Sequence, residues 1–222
     1  YDRHQKSDHT EYSLEPNVKT SPGGLRDIQT VMWIAKRRFG AVTFDDLVEQ
    51  NFLTPSERDI LADGQSLLWK IRFGLHAITD KEEDRLLFEY QKELSSLLGF
   101  EDNDQLAVEQ FMQQYYLSAM QIRMVTELLL QHFDEEILRA NERVRVSPVD
   151  KYFRIANDYI EVNSPDVFVR HPPALLKIFV AMGKDADIKG IRAATVRLIQ
   201  ASVDLIDDQF RSNPEVTELF LT

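Results

Sequence analysis

The longest helical pattern in the sequence, from about Leu106 to Leu138, limits the folds that are open to this chain. No Pro or Gly interrupts it, and at 1.5 Å per residue it would span roughly 45–50 Å. Its apolar residues recur at helical period: Val108, Phe111, Tyr115, Ala119, Ile122, Val125, Leu129 and Phe133. We therefore predict a mainly α fold, an antiparallel helical bundle around this one long helix.

Shorter elements are predicted on both sides of it. Residues 25–39 carry an amphipathic pattern that stops at Gly40, and Thr54-Pro55 has the capping residues of a helix that continues to about residue 78. Asp84 is predicted either to cap the next helix or, with Arg85, to make a polar contact to the first helix. Later, two alternating runs around Asn157-Asp158 indicate a β-hairpin. A smaller C-terminal helical unit follows it, with one helix over residues 190–210.

The pattern breaks near residues 142–150, which is where we place a domain boundary. We expect residues 1–20 to form a polar linker, residues 21–145 the helical bundle domain, and residues 146–222 the hairpin plus the smaller helical unit. His4 and His9 lie on the linker. Their spacing is not a metal motif, so we expect both to be solvated.

Composition excludes several classes of protein. The 222 residues include no cysteine and carry a formal net charge of −11, which argues against a disulfide framework, a thiolate metal site and general nucleic-acid binding. No apolar run reaches the ~20 residues needed to span a bilayer, and no signal peptide is visible. These features suit a cytoplasmic protein that binds neither membrane nor nucleic acid.

One segment concentrates features typical of an anion site. In residues 15–29, the pair Gly23-Gly24 directly precedes a helix, and Lys19 and Arg26 flank the turn. Glycines allow main-chain N–H groups to approach a ligand, and the N-terminus of a helix favours an anion. We interpret the turn as a phosphate-facing helix start. The alternative is a tight turn in which the glycines serve backbone geometry alone.

A second set of polar residues shares a helix face. Arg72 and His76 are four positions apart and project together, close to Trp69. They either face a neighbouring catalytic domain or form a surface pair packed against Trp69.

Complete catalytic motifs are absent from the sequence. There is no His-Asp dipeptide, no phosphate-binding P-loop and no zinc pattern. The aspartate pairs at residues 102 and 104 and at residues 185 and 187 lie in predicted loops, where solvated or capping roles are expected. We therefore assign no catalytic residue and no metal ligand to this chain.

The residues resemble a known family over essentially the whole chain. The run Glu15-Pro-Asn-Val-Lys-Thr-Ser-Pro-Gly-Gly-Leu-Arg-Asp-Ile-Gln29 is similar to the signature of the bifunctional uridylyltransferase/uridylyl-removing enzymes, which modify the PII signal protein in bacterial nitrogen regulation. Further matching stretches follow in the same order, at residues 39–40, 52–54, 68–76, 84–88, 129–135 and 170–176. The sibling adenylyltransferase family, which acts on glutamine synthetase, has a similar Pro-Gly-Gly motif but fits the later stretches less well.

The resemblance implies a multidomain, cytoplasmic parent enzyme. It would be a transferase and hydrolase with a nucleotidyltransferase domain, this helical domain, an HD domain and ACT domains, using Mg²⁺ and UTP, with glutamine as effector. The chain would be the central helical domain, entered from the nucleotidyltransferase domain through residues 1–20 and leading to the HD domain. By itself it is expected to be inactive, and no cofactor is assigned to it alone.

Within this domain, we expect five residues to line the nucleotide cleft: Lys19, Gly23, Gly24, Arg26 and Asp27. Asp27 would hold Arg26 or Lys19 in place, or bond a ribose hydroxyl. Two alternatives remain open: a non-catalytic module for PII docking or interdomain signalling, and the sibling adenylyltransferase.

Overall fold

The computed structural model of the chain describes residues 13–139 and 145–221. The predicted linker histidines, His4 and His9, lie outside these residues. Helices dominate the described part: α1 (Leu25–Phe39), α2 (Phe44–Glu49), α3 (Pro55–Thr79), α4 (Phe88–Leu97), α5 (Ala107–Arg139), α6 (Val167–Arg170), α7 (Ala174–Lys184), α8 (Ala193–Ala201), α9 (Asp208–Arg211) and α10 (Pro214–Phe220). Four short strands accompany them: β1 (Val146–Pro148), β2 (Phe153–Ala156), β3 (Tyr159–Val162) and β4 (Gly190–Ile191). The predicted mainly α fold with a β-hairpin is confirmed.

Contacts between residues divide the chain into two compact units, one up to Leu130 and one from Gln131 onward. Helix α5 crosses this division and contributes to both. In the first unit, α3 contacts α1, α2 and α4. It also meets α5 at Gly64, where an added Cβ would lie 2.7 Å from Cδ1 of Ile122. A small residue at this position therefore allows the two helices to approach closely.

Local capping chemistry accounts for the bounds of α1 and α3. Helix α1 ends at Gly40, whose φ of 73° is left-handed, a conformation that glycine adopts without steric cost. At the start of α3, Thr54 and Glu57 form a reciprocal capping box, and Pro55 occupies the first turn. The apolar sides of the two helices then enter the core of the first unit through Ile28, Val31, Leu61, Leu68 and Ile71, each fully buried.

The second unit is built on the predicted hairpin. Strands β2 and β3 pair antiparallel around Asn157 and Asp158, which both have positive φ, as a tight hairpin turn requires. Strand β1 extends the sheet antiparallel to β2, and β4 pairs parallel to β3. The hairpin contributes Phe153 and Ile160 to a core shared with α6, α7, α9 and α10.

Two predicted helices differ in the structure. Asp84 does not cap α4, which begins at Phe88 with Leu87 as its N-cap, because the carboxylate of Asp84 is used in a tertiary contact instead. The predicted helix over residues 190–210 is divided into β4, α8, a 3₁₀ turn at Val203–Leu205 and α9. Asp207 accounts for the last break, since its carboxylate accepts the N–H of Phe210 (2.8 Å) and starts a new helix there.

Candidate functional site

The turn before α1 is closed by hydrogen bonds among its own residues. Oδ1 of Asn17 accepts the main-chain N–H groups of Lys19 (3.0 Å) and Thr20 (2.9 Å). In return, the N–H of Asn17 donates to Oγ of Ser21 (2.9 Å). Because side chains as well as main chain hold it, the turn has a defined shape before any ligand binds.

The two glycines of the turn are required by its packing. Gly23 has a φ of +76°, and an added Cβ would lie 2.0 Å from the main-chain oxygen of Ala119 on α5. At Gly24, an added Cβ would lie 2.8 Å from the main-chain oxygen of Ser21. Both glycines are buried. The glycine pair therefore serves close packing of the turn against α5 and against itself.

The main-chain N–H groups around the start of α1 all donate to protein acceptors. These bonds run from Gly23 to Oδ2 of Asp27 (2.8 Å), from Gly24 to the carbonyl of Ser21 (2.9 Å), from Leu25 to that of Val18 (3.0 Å) and from Arg26 to that of Lys19 (2.9 Å). Each of these amides therefore already has a protein acceptor, and nucleotide binding at the turn stays a prediction. Asp27 closes the turn by accepting the Gly23 amide.

The segment before the turn is joined to the chain around Asp84. The N–H of Val18 donates to the carbonyl of Asp84 (2.9 Å), and the N–H of Leu86 donates to that of Pro16 (2.8 Å). The side chain of Gln91 donates to the carbonyls of both Leu14 and Leu86, at 2.8 Å each. Residues 13–20, the described part of the predicted linker, are thus held to the first unit.

Asp84 brings three basic side chains together, and we name Lys19, Arg72, His76 and Asp84 the Asp84 cluster. Its carboxylate lies 2.7 Å from Nε of Arg72, 3.6 Å from Nζ of Lys19 and 3.5 Å from Nε2 of His76. The predicted packing of Arg72 on Trp69 is also present, with its guanidinium carbon 5.3 Å from the ring centroid. The cluster therefore joins the turn to α3.

The electrostatics of the cluster favour an ionised Asp84. Partial burial by itself raises the pKa of Asp84, but the hydrogen bond from Arg72 and the charges of Arg72 and Lys19, together with the nearby His76, outweigh burial and lower the pKa. One carboxylate faces two permanent cations, so the cluster has a surplus positive charge. Sequence reasoning found Lys19 and the Arg72–His76 pair but did not identify Asp84 as their common partner. Asp84 is 12 positions from Arg72 and 65 positions from Lys19, and no local sequence pattern links residues that far apart.

Arg26 lies at the surface beside this cluster. Its side chain is exposed, while its main-chain N–H bonds to Lys19. Farther along the same face of α1, Trp33 is 82% exposed, and on α3 Phe73 is 77% exposed. Among the described residues of the first unit, exposed aromatic and basic side chains thus lie on both helices that flank the turn.

The second unit holds a buried ionic cluster that sequence reasoning did not identify. Arg192 donates from Nη1 to Glu161 (2.6 Å) and from Nε to Glu135 (3.3 Å). The carboxylate of Glu135 also accepts from Gln131 (3.0 Å) and from the N–H of Ala193 (3.2 Å). Nε of Arg154 also donates to Glu161 (2.6 Å). Two arginines thus pair with two glutamates, which indicates a structural function.

The described residues contain no group of three or more His, Asp or Glu side chains that fits a metal ion. The aspartate pairs that are spaced two positions apart stabilise loops through hydrogen bonds to the main chain instead. Asp102 accepts the N–H of Ala107 at the start of α5 (2.7 Å), and Asp185 accepts that of Asp187 (3.0 Å). In the same part of the chain, no helix has both the length and the apolar character needed to cross a membrane.

Comparison with known proteins identifies the family. The family described as GlnD PII-uridylyltransferase matches residues 1–130. The chain belongs to this family. The uridylyltransferase GlnD third domain matches residues 153–222, so the two matches cover most of the chain.

Individual relatives agree with this assignment. The chain is 50% identical over 220 residues to a bifunctional uridylyltransferase/uridylyl-removing enzyme of Pseudomonas aeruginosa (strain LESB58). It is 49% identical to enzymes with the same name from Pseudomonas putida (strain GB-1) and Azotobacter vinelandii (strain DJ / ATCC BAA-1303). Each match covers 99% of the chain but 24% of the relative, so the chain spans about a quarter of their length. No solved structure matches the chain.

Proposed function

We propose that this chain is the central helical part of an enzyme that transfers UMP from UTP to the PII signal protein and also removes it, in response to nitrogen status. The family match and the names of relatives that are about 50% identical support this activity for the intact enzyme. The observation that carries the chain's own role is the Asp84 cluster, which gathers cations beside the turn of the family signature. By itself the chain is proposed to be inactive.

Within this enzyme, the chain would bind the phosphates of UTP through side chains. Lys19 and Arg26 supply the cations, and Arg72 adds a guanidinium whose remaining N–H groups suit phosphate oxygens. Gly23, Gly24 and Asp27 would contribute by holding the turn in its conformation. The glycines allow the turn to pack closely, and the Asp27 carboxylate closes it. This conformation sets the directions in which Lys19 and Arg26 project. A nucleotide would supply the negative charge that balances the remaining positive charge of the Asp84 cluster.

Nucleotidyl transfer of this kind commonly uses Mg²⁺ at the triphosphate. The described residues do not fit such a site, since no three candidate ligands converge among them. We therefore assign the metal to another part of the enzyme and derive no step of this chain through it. A neighbouring nucleotidyltransferase domain, HD and ACT domains, glutamine as effector and a cytoplasmic location complete the proposal.

The test is the kinetics of the full-length enzyme with Lys19→Ala and, separately, Arg26→Ala. We expect the KM for UTP to rise about tenfold, the equivalent of one charged contact to phosphate. Lys36→Ala is the matched control, since Lys36 is an exposed cation in the last turn of α1. Unchanged rates and unchanged UTP affinity in folded variants would remove Lys19 and Arg26 from the nucleotide site.

A second function is favoured by the exposed aromatic residues. Large aromatic side chains and arginines are typical of the centres of protein interfaces. Trp33 is exposed on α1, which also carries Arg26, and Phe73 is exposed next to Arg72 on α3. In this alternative these exposed residues dock PII or a neighbouring domain, and the turn is structural. Titration of the isolated chain with UTP and Mg²⁺, and separately with PII, distinguishes the two functions.

A further inference from the structure

A groove lies between α3 and α5 in the first unit, and none of its lining residues belongs to the turn or to the Asp84 cluster. Its volume is about 500 Å³. The first half of α3 lines one side and residues 110–121 of α5 line the other. The residues that matter for the argument are Asp63, Leu67, Gln113, Gln114, Leu117 and Gln121.

The polar groups of the groove are acidic or neutral. No Lys or Arg is among its lining residues, and Asp63 has no ion pair within the described part of the chain. An anion such as a nucleotide is therefore disfavoured here, in contrast to the Asp84 cluster. A neutral or basic occupant is favoured by charge.

Three glutamines present unused hydrogen-bonding groups. The side chains of Gln113, Gln114 and Gln121 make no hydrogen bond to the described residues, whereas that of Gln110 donates to the carbonyl of Glu101 (2.9 Å). A carboxamide both donates and accepts, as a peptide group does. Gln113 and Gln121 are roughly 12 Å apart along the helix, which is the length of about four residues of extended chain.

The apolar part of the groove also points to a polypeptide. Leu117 lies in the groove and is 51% exposed, and Ile60 and Leu67 of α3 line the opposite side. Exposed apolar side chains within a groove are typical of surfaces that accept a protein segment. A small cationic molecule would leave this apolar area and the spaced carboxamides without partners.

We propose that this groove docks an extended basic segment of the protein substrate that the enzyme uridylylates. The inference rests on the proposed function, because it takes the PII protein as the substrate. The main chain of the segment bonds the glutamine carboxamides, an apolar side chain covers Leu117, and a Lys or Arg pairs with Asp63. The groove thus contributes to recognition of the protein substrate and leaves UTP binding unaffected.

The experiment measures initial rates of the full-length enzyme at saturating UTP while the PII concentration is varied. We expect Asp63→Lys and Leu117→Asp each to raise the KM for PII about tenfold, with kcat and the KM for UTP unchanged. Glu93→Lys and Leu97→Asp are the matched controls, because both residues are exposed on α4, outside the groove. They should leave the KM for PII at its wild-type value.

Hydrogen exchange of the wild-type enzyme, with and without PII, tests the groove without any substitution. PII should slow exchange in residues 56–67 and 110–121. An unchanged KM for PII in both groove variants, a fall in kcat alone, or unchanged exchange in these two segments would each overturn the docking proposal. A wild-type enzyme that transfers no UMP to PII would instead contradict the proposed function.

Discussion

Gly23 lies against the main-chain carbonyl of Ala119, so close that an added Cβ would be 2.0 Å from that oxygen. This contact seats the family's signature turn on the longest helix of the chain. It also places the turn where Lys19 pairs with Asp84, which in turn pairs with Arg72 on α3. The position of the cations therefore depends on a residue that has no side chain.

Gly23→Ala should destabilise the chain by about 2–4 kcal/mol, because it combines a positive φ with a clash against main-chain atoms that cannot move aside. Gly40→Ala is the matched control, since Gly40 has nearly the same φ of +73° but no atom within 4 Å of an added Cβ. It should cost about 1–2 kcal/mol. Urea unfolding of both variants measures the difference, and equal losses would show that the contact with Ala119 costs nothing.

Asp84→Asn should lower the free energy of unfolding at pH 7 by about 1–3 kcal/mol, the usual contribution of hydrogen bonds to a charged group. Because the pKa of Asp84 is lower in the folded state than its ordinary value of 3.8, its charge stabilises the fold above that value. This stabilisation is lost as the pH falls through the lowered folded-state pKa. The wild type and the variant should therefore converge below about pH 4.

Unfolding measured from pH 7 to pH 3 checks the Asp84 prediction. Asp63→Asn serves as the control, since Asp63 is exposed and has no ion pair among the described residues. A constant difference between Asp84→Asn and wild type over this range would contradict the electrostatic explanation.

Arg192→Ala should destabilise the second unit by about 3–5 kcal/mol, because it leaves the buried Glu135 without its arginine and leaves Glu161 with Arg154 alone. The side chains of Glu135 and Glu161 are 9% and 12% exposed. Arg211→Ala removes an exposed ion pair with Asp208 and should change stability by less than about 1 kcal/mol. Guanidinium unfolding followed by tyrosine fluorescence would report both, and a small loss for Arg192→Ala would show that the carboxylates find other partners.

Trp33→Ala should change the stability of the isolated chain by no more than about 0.5 kcal/mol, because the side chain is 82% exposed. If the exposed face docks another domain, the same substitution should lower the unfolding temperature or the activity of the full-length enzyme. Thermal unfolding of the chain and of the enzyme makes the comparison. Equal insensitivity in both would exclude this face from an interface.

Several elements could be predicted because their signals are local. The bounds of α1 follow from an amphipathic stripe and a terminal glycine, and the start of α3 follows from Thr54, Pro55 and Glu57. The hairpin follows from alternation around Asn157-Asp158. In contrast, β1 and β4 are three and two residues long. Segments of this length have no periodicity, and pairing with the hairpin alone makes them strands.

The candidate site likewise has parts that the sequence predicts and parts that only the structure shows. The sequence by itself determined the family signature, the glycine turn and the cations Lys19 and Arg26, because these residues lie within a few positions of one another. The tertiary structure decided that the turn's amides are occupied and that Asp84 joins Lys19 to Arg72. Hydrogen-bond acceptors and counter-charges come from residues distant in sequence, and only the packing of α3, α5 and the turn brings them within a few ångströms.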